Sequence, residues 1–170
     1  MLLHKRILAF ALLIWAISCS QGNKEKITNE VGGYSVTLSR DWVLYKLRDA
    51  STSIVSKRTP TIEATFYITV INSEYSSLEE SFSSYVAQLP PGFENYVNLG
   101  NGKTQIDNKP AMWHKMSDTS KGVQIVTTIY LIQPPGSKLF VISCSAPKNA
   151  LNKYEEDFTE MSFSLHLLNN

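Results

Sequence analysis

Two cysteines, three histidines and no surplus of either charge distinguish this chain of 170 residues, in which 16 lysines and arginines stand against 15 aspartates and glutamates. So few cysteines cannot build a disulfide framework, which excludes a stapled miniprotein. The balanced charge leaves no cationic footprint for a phosphate backbone and argues against nucleic-acid binding. Glycine is also sparse, and Gly100-Asn101-Gly102 is too short to cradle a dinucleotide or a triphosphate. Long apolar runs are missing too. The longest, Ile7 to Ile17, spans about 16 Å as a helix against a hydrocarbon core of about 30 Å, so it does not read as a retained transmembrane span. What remains is 43% apolar and 18% charged, the balance of a globular chain. One domain of roughly 140 to 150 residues is expected, enough to bury about 70% of its unfolded surface.

The N-terminus carries the clearest address. His4, Lys5 and Arg6 precede the apolar run, and Ser18 and Cys19 follow it, the layout of a secretion signal over residues 1–18. Ala16-Ile17-Ser18-Cys19 resembles the lipobox of bacterial lipoproteins, with Ala16 in place of the usual leucine. That resemblance implies a diacylated Cys19 and cleavage just before it. Cleavage removes Lys5 and Arg6 and leaves 14 positive against 15 negative side chains. Residues 19–33 are polar and lack periodicity, so they read as a lipidated flexible tether. Ser20, rather than Asp, after the cysteine resembles lipoproteins sent on to an outer membrane. The expected location is therefore extracytoplasmic, lipid-anchored to a bacterial membrane, the outer more than the inner.

Residues 34–168 read as the domain. Period-two alternation marks strands: Tyr34, Val36 and Leu38, ending at Trp42; Ile62 to Ile71, with Ala64, Phe66, Ile68 and Val70 on one face; and Val123 to Ile132, apolar on both faces and hence central. Gln133-Pro134-Pro135-Gly136-Ser137 turns the last of these into a strand from Lys138 to Ala146. Phe93 to Leu99 and Lys103 to Ile106 read as strands split by Gly100-Asn101-Gly102. Asp107-Asn108-Lys109 then turns into Ala111 to Met116, with Asn108 suited to a left-handed conformation. Ser77-Leu78-Glu79-Glu80 is a capping box for a helix with Leu78, Phe82, Tyr85, Val86 and Leu89 on its stripe, stopped by Pro90-Pro91-Gly92. Leu151, Tyr154, Phe158 and Met161 mark a second helix.

These segments resemble the PsbP-like family. The resemblance rests on Tyr34 through Trp42, the helix around Phe82 and Tyr85, the hairpin from Ile106 to Ala111, the paired strands from Val123 to Ala146 and the final helix through Ser162-Phe163. It covers about Gly33 to Leu165, with Asn108 where many members have glycine. It implies an α+β fold, an α/β/α sandwich with a central antiparallel sheet flanked by helices. It further implies a binding or assembly role, and it brings no active-site residues.

The residues themselves offer little chemistry. The mature chain holds only His114 and His166, so a catalytic triad or zinc site would rest almost wholly on one imidazole. Cys144 alternates with Phe140 and Ile142 and reads as a buried, inert thiol. Glu79-Glu80 and Glu155-Glu156-Asp157 read as solvated helix faces. Met112, His114 and Met116 share one strand face and make a soft ligand set suited to Cu(I); against that, methionines fill irregular core space and an imidazole is readily satisfied by a carbonyl or a Tyr hydroxyl. Tyr34, Tyr67 and Tyr130 suggest either an amphipathic contact surface or hydroxyls at a sheet rim. Trp42 reads as a core plug. The expectation is a lipid-anchored module that binds a protein partner in the cell envelope, without catalysis or cofactor and without nucleic acid. The alternative is an envelope lipoprotein that takes a small ligand or soft metal in a crevice near His114.

Overall fold

The structure, a computed structural model, describes residues 24–49, 52–57 and 64–168. The expected signal peptide, the lipidation site Cys19 and Ile62 lie outside the described residues. The elements in chain order are β1 (Lys26–Asn29), β2 (Tyr34–Thr37), β3 (Trp42–Asp49), β4 (Thr52–Lys57), β5 (Thr65–Asn72), α1 (Leu78–Ala87), β6 (Glu94–Ile106), β7 (Lys109–Ser120), β8 (Val123–Ile132), β9 (Lys138–Pro147), α2 (Glu155–Phe163) and β10 (His166–Leu167).

Seven strands form one antiparallel sheet in the order β3-β4-β5-β9-β8-β7-β6. From β5 the chain crosses by α1 to the far edge and returns through β6, β7, β8 and β9, which finally pairs with β5. The alternation in β8 explains the layering. Ile129 and Leu131 pack with Phe82 and Leu89 of the α1 segment, whereas Tyr130 and Ile132 join the cluster that contains Phe158 and Met161 of α2. Both faces of β8 are thus covered, as expected of a central strand, and the result is an α+β sandwich with one helix on each side of the sheet.

Local chemistry fixes the helices. Ser77 Oγ accepts from the Glu80 N–H at 3.3 Å, a side-chain N-cap that satisfies an otherwise orphaned donor, and donates its own proton to Glu80 Oε2 at 2.9 Å. Pro90-Pro91-Gly92 forms a single 3₁₀ turn after α1. The second helix starts later than its apolar spacing predicts. Leu151–Lys153 is a 3₁₀ turn, and Tyr154 takes φ −120° between it and α2, packing its ring against Trp42 and Phe158.

Several boundaries differ from the sequence reading. The tether expected to run to Gly33 gives way at Lys26, because β1 pairs with β2 and places Ile27 against the core opposite Val36. Asn29 closes that hairpin by accepting the Gly32 N–H at 2.7 Å. With β10, these strands make a second, three-stranded sheet over the α2 face. Trp42 begins a strand rather than ending one: Asp41 at φ 68° turns the chain, and β3 and β4 follow. β6 is continuous through Gly100-Asn101-Gly102, with register shifts between Glu94 and Val97 and between Asn98 and Gly100. The glycine segment is therefore absorbed in a bulge, where Gly100 sits at φ 141°, and not in a turn. β7 extends four residues past Met116, to Ser120. The turn at Asp107-Asn108 forms as expected, with both residues at positive φ, 52° and 57°.

Candidate functional site

α2 covers the inner strands of the sheet and leaves a cleft of about 430 Å³ between itself and the part built by β6, β7 and β8. The floor is Trp113, which register places opposite Gly102. A Cβ on Gly102 would stand 2.8 Å from Trp113 Nε1, and one on Gly100 3.6 Å from its ring, so the indole lies against backbone that carries no side chain. Tyr130 and Phe158 add apolar walls, and Phe163 at the end of α2 is 46% exposed with its ring edge-on to Tyr130 at 6.0 Å. Lys115 Nζ lies 3.4 Å from Glu155 Oε1 across the rim. Both groups are partly solvated, so this pair adds little stability and remains available to a ligand. Burial pushes the Tyr130 phenol up to about 12, aided by the neighbouring Cys144 thiol, so it stays a neutral hydroxyl near pH 7. The cleft is amphipathic, with an aromatic floor and a charged rim, a composition suited to recognition.

The residues singled out in the sequence disperse over the molecule. Cys144 is buried beneath the cleft, 3.4 Å from Ser162 Oγ, and burial pushes its thiol up to about 12, as expected of an inert core cysteine. Met112, His114 and Met116 do share a face, on the opposite side of the sheet under α1. Met116 and His114 are buried and Met112 is half-buried. His114 Nε2 lies 2.7 Å from the Tyr96 hydroxyl, and burial holds the imidazole below its usual pKa. His166 is 3.0 Å from Asp107, far from His114 in the chain and in another sheet. Among the described residues, no three His, Cys, Asp or Glu side chains gather as metal ligands. Glu79 and Glu155 pair with Lys103 and Lys115 on exposed surfaces. Tyr34 is fully buried, accepting a hydrogen bond from Asn29 Nδ2 at 3.3 Å, so it contributes no contact surface. Trp42 plugs the core beside Phe158 and donates its Nε1–H to Asp157 at 2.8 Å.

Sequence reasoning missed Trp113 and Phe163 as a pair. The available signal was Gly100 and Gly102 at alternate positions of a strand that faces a tryptophan, which strips one face of an edge strand of side chains.

No family model matches this chain, and no curated protein sequence is a significant match. Solved structures do match. The Saccharomyces cerevisiae Ran-binding protein Mog1p is 11% identical with a TM-score of 0.64, covering 86% of this chain and 96% of Mog1p. Cyanobacterial PsbP from Synechocystis is 11% identical with a TM-score of 0.60, covering 88% and 97%. LpqN, involved in cell envelope biogenesis of Mycobacterium tuberculosis, is 12% identical with a TM-score of 0.58, covering 88% of each chain. Layering and near-complete mutual coverage agree: the chain has the PsbP-like fold.

Proposed function

We propose that this chain is a lipid-anchored, extracytoplasmic binding module that holds a protein partner in the cell envelope and carries out no catalysis. The observation that carries the reading is the cleft beside α2, with Trp113 as its floor, Phe163 exposed at its lip and the Lys115–Glu155 pair on its rim. Aromatic anchors surrounded by separable charges are the usual energetic centre of a protein interface. Two proteins of the same fold support the reading by description: Mog1p is Ran-binding, and LpqN is involved in cell envelope biogenesis. The lipobox resemblance at Cys19 and the outward-sorting Ser20 support an anchored location at the outer membrane. No helix among the described residues is long and apolar enough to cross a membrane, so such an anchor would be the acyl chains themselves. A non-catalytic role is supported by the engagement of His114 with Tyr96 and of His166 with Asp107, and by the burial of Cys144.

A photo-crosslinking residue placed at Phe163 in intact cells tests the proposal against the same residue at exposed Lys148, which lies outside the cleft. One partner adduct from position 163, lost on Trp113→Ala, is the expected result. Equal labelling from both positions would assign the partner to another surface.

A further inference from the structure

We propose that the pocket between α1 and the loop that precedes it binds a short, uncharged saccharide. The pocket lies on the face of the sheet opposite the cleft, and the inference does not depend on the partner-binding reading.

Helical spacing builds one wall. Ser81, Ser84, Tyr85 and Gln88 follow one another along a single face of α1, beside the stripe of Phe82 and Leu89 that packs on the sheet. Ile71 and Leu139, register partners on β5 and β9, form the floor. The chain leaving β5 at Asn72 makes the other wall, and the pocket has a volume of about 360 Å³, at the small end of the range of about 300 to 1,000 Å³ for ligand sites. A hydrogen-bonded network holds that wall in place. Ser73 Oγ lies 2.6 Å from Ser81 Oγ, which donates to Gln133 Oε1 at 2.7 Å, and Gln133 Nε2 donates to the Tyr75 carbonyl at 2.8 Å. The pocket is thus preorganised, which lowers the entropic cost of binding.

The groups that this network leaves over point to the ligand. Among the described residues, the Tyr85 hydroxyl and the Asn72 amide make no hydrogen bond, and Tyr75, 43% exposed, packs against no other ring. Burial and the nearby Tyr67 phenol lift the Tyr85 pKa above its usual value, so the group stays a neutral hydroxyl that both donates and accepts. Such hydroxyls and amides match the hydroxyls of a sugar, and an exposed tyrosine face is a flat apolar platform for the C–H face of a pyranose ring. Charge separates a neutral sugar from an anionic one. Glu74 is the only charged side chain on the lining among the described residues, so a phosphate or carboxylate ligand would meet a like charge with no lysine, arginine or histidine there to offset it.

The test is saturation-transfer NMR on the purified full-length chain in a sugar-free detergent. The probes are maltose, cellobiose, lactose and N,N′-diacetylchitobiose, with glucose 6-phosphate as the charged control. The expected result is saturation of at least one neutral sugar at about 10 mM or below, and none of glucose 6-phosphate. Tyr75→Ala, in an exposed loop, should weaken binding about tenfold and Tyr75→Phe much less, because the ring is the platform. Tyr85→Phe keeps the ring and its packing and should weaken binding about threefold to tenfold by removing one hydrogen bond. Three results would overturn the proposal. The first is no saturation of any neutral probe, and the second is saturation of glucose 6-phosphate as strong as that of the best neutral sugar. The third is unchanged affinity in both Tyr75→Ala and Tyr85→Phe, which would put the sugar elsewhere.

Discussion

Trp42 shows how a single side chain ties two layers together. Its ring packs against Tyr154 and Phe158, and its Nε1–H donates to Asp157 at 2.8 Å. Trp42→Phe keeps most of the packing and removes a hydrogen bond to a charged acceptor, so urea unfolding should show a loss of about 1.5 to 3 kcal/mol. Trp42→Ala should lose about 3 to 5 kcal/mol, because it also opens a cavity. A similar loss for both variants would mean that the aromatic contacts add nothing beyond the bond. Cys144 supplies a kinetic check on the same core. With its thiol buried and pushed up to about 12, it should react with a disulfide reagent only as fast as the chain opens. Rapid labelling of the native protein would contradict that burial.

The β6–β7 hairpin joins a tight turn to the C-terminal strand. Asp107 sits in the turn, its Oδ2 accepts the Leu167 N–H at 3.0 Å, and its Oδ1 lies 3.0 Å from His166 Nδ1, so the turn holds β10 in place. Burial alone would raise the Asp107 pKa, but the Leu167 N–H, His166 and Lys109 outweigh it and hold the carboxyl below the ordinary carboxylate value. A carboxylate depressed in the folded state stabilises the protein above its unfolded pKa of about 3.9, and that contribution is lost as pH falls through the lower folded value. Asp107→Asn should cost about 1 kcal/mol at pH 7 and flatten the acid limb of a thermal-melt series below about pH 4. An unchanged acid limb would assign the clasp no energetic role. The same hairpin shows what could be read in advance. Asp107-Asn108 was legible as a turn because few residues tolerate positive φ, and β8 was legible as central because both its faces carry bulk. β1 was not, since four residues are too few for alternation to emerge, and β3 was masked by register shifts that break its period. The cleft was hidden for another reason: it depends on where α2 lies, and only the Gly100, Gly102 and Trp113 pattern hinted at it. Gly102→Ala tests that pattern, because its Cβ would meet the indole at 2.8 Å. Displacing Trp113 should cost about 1 to 3 kcal/mol and shift its fluorescence toward that of a solvated indole.

The pairing of β1 changes the geometry of the proposed anchor. A tether reaching Gly33 would let the domain roam, but the chain is paired in a sheet from Lys26, where β1 lies against β2. Four residues lie between Cys19 and Lys24, and the five residue-to-residue steps, fully extended, span at most about 18 Å. With Cys19 acylated, the start of the domain would stay within that distance of the bilayer, and so would the α2 side, on which the sheet of β1, β2 and β10 packs. The cleft beside α2 would then be offered to partners lying close to the membrane rather than far from it. Cys19→Ala should move the protein from the membrane fraction to the soluble one, since two or three acyl chains at about 0.8 kcal/mol per buried methylene hold firmly where a single chain does not. Insertion of a 20-residue Gly/Ser linker after Gly22 should leave the membrane fraction unchanged. It adds a typical reach of about 25 Å. Partner adducts formed from position 163 should therefore fall, because a longer leash lowers the effective concentration of the cleft near the bilayer. Equal adduct yield from the short and long forms would show that the leash does not select the partner, and would leave the cleft's own chemistry as the sole source of specificity.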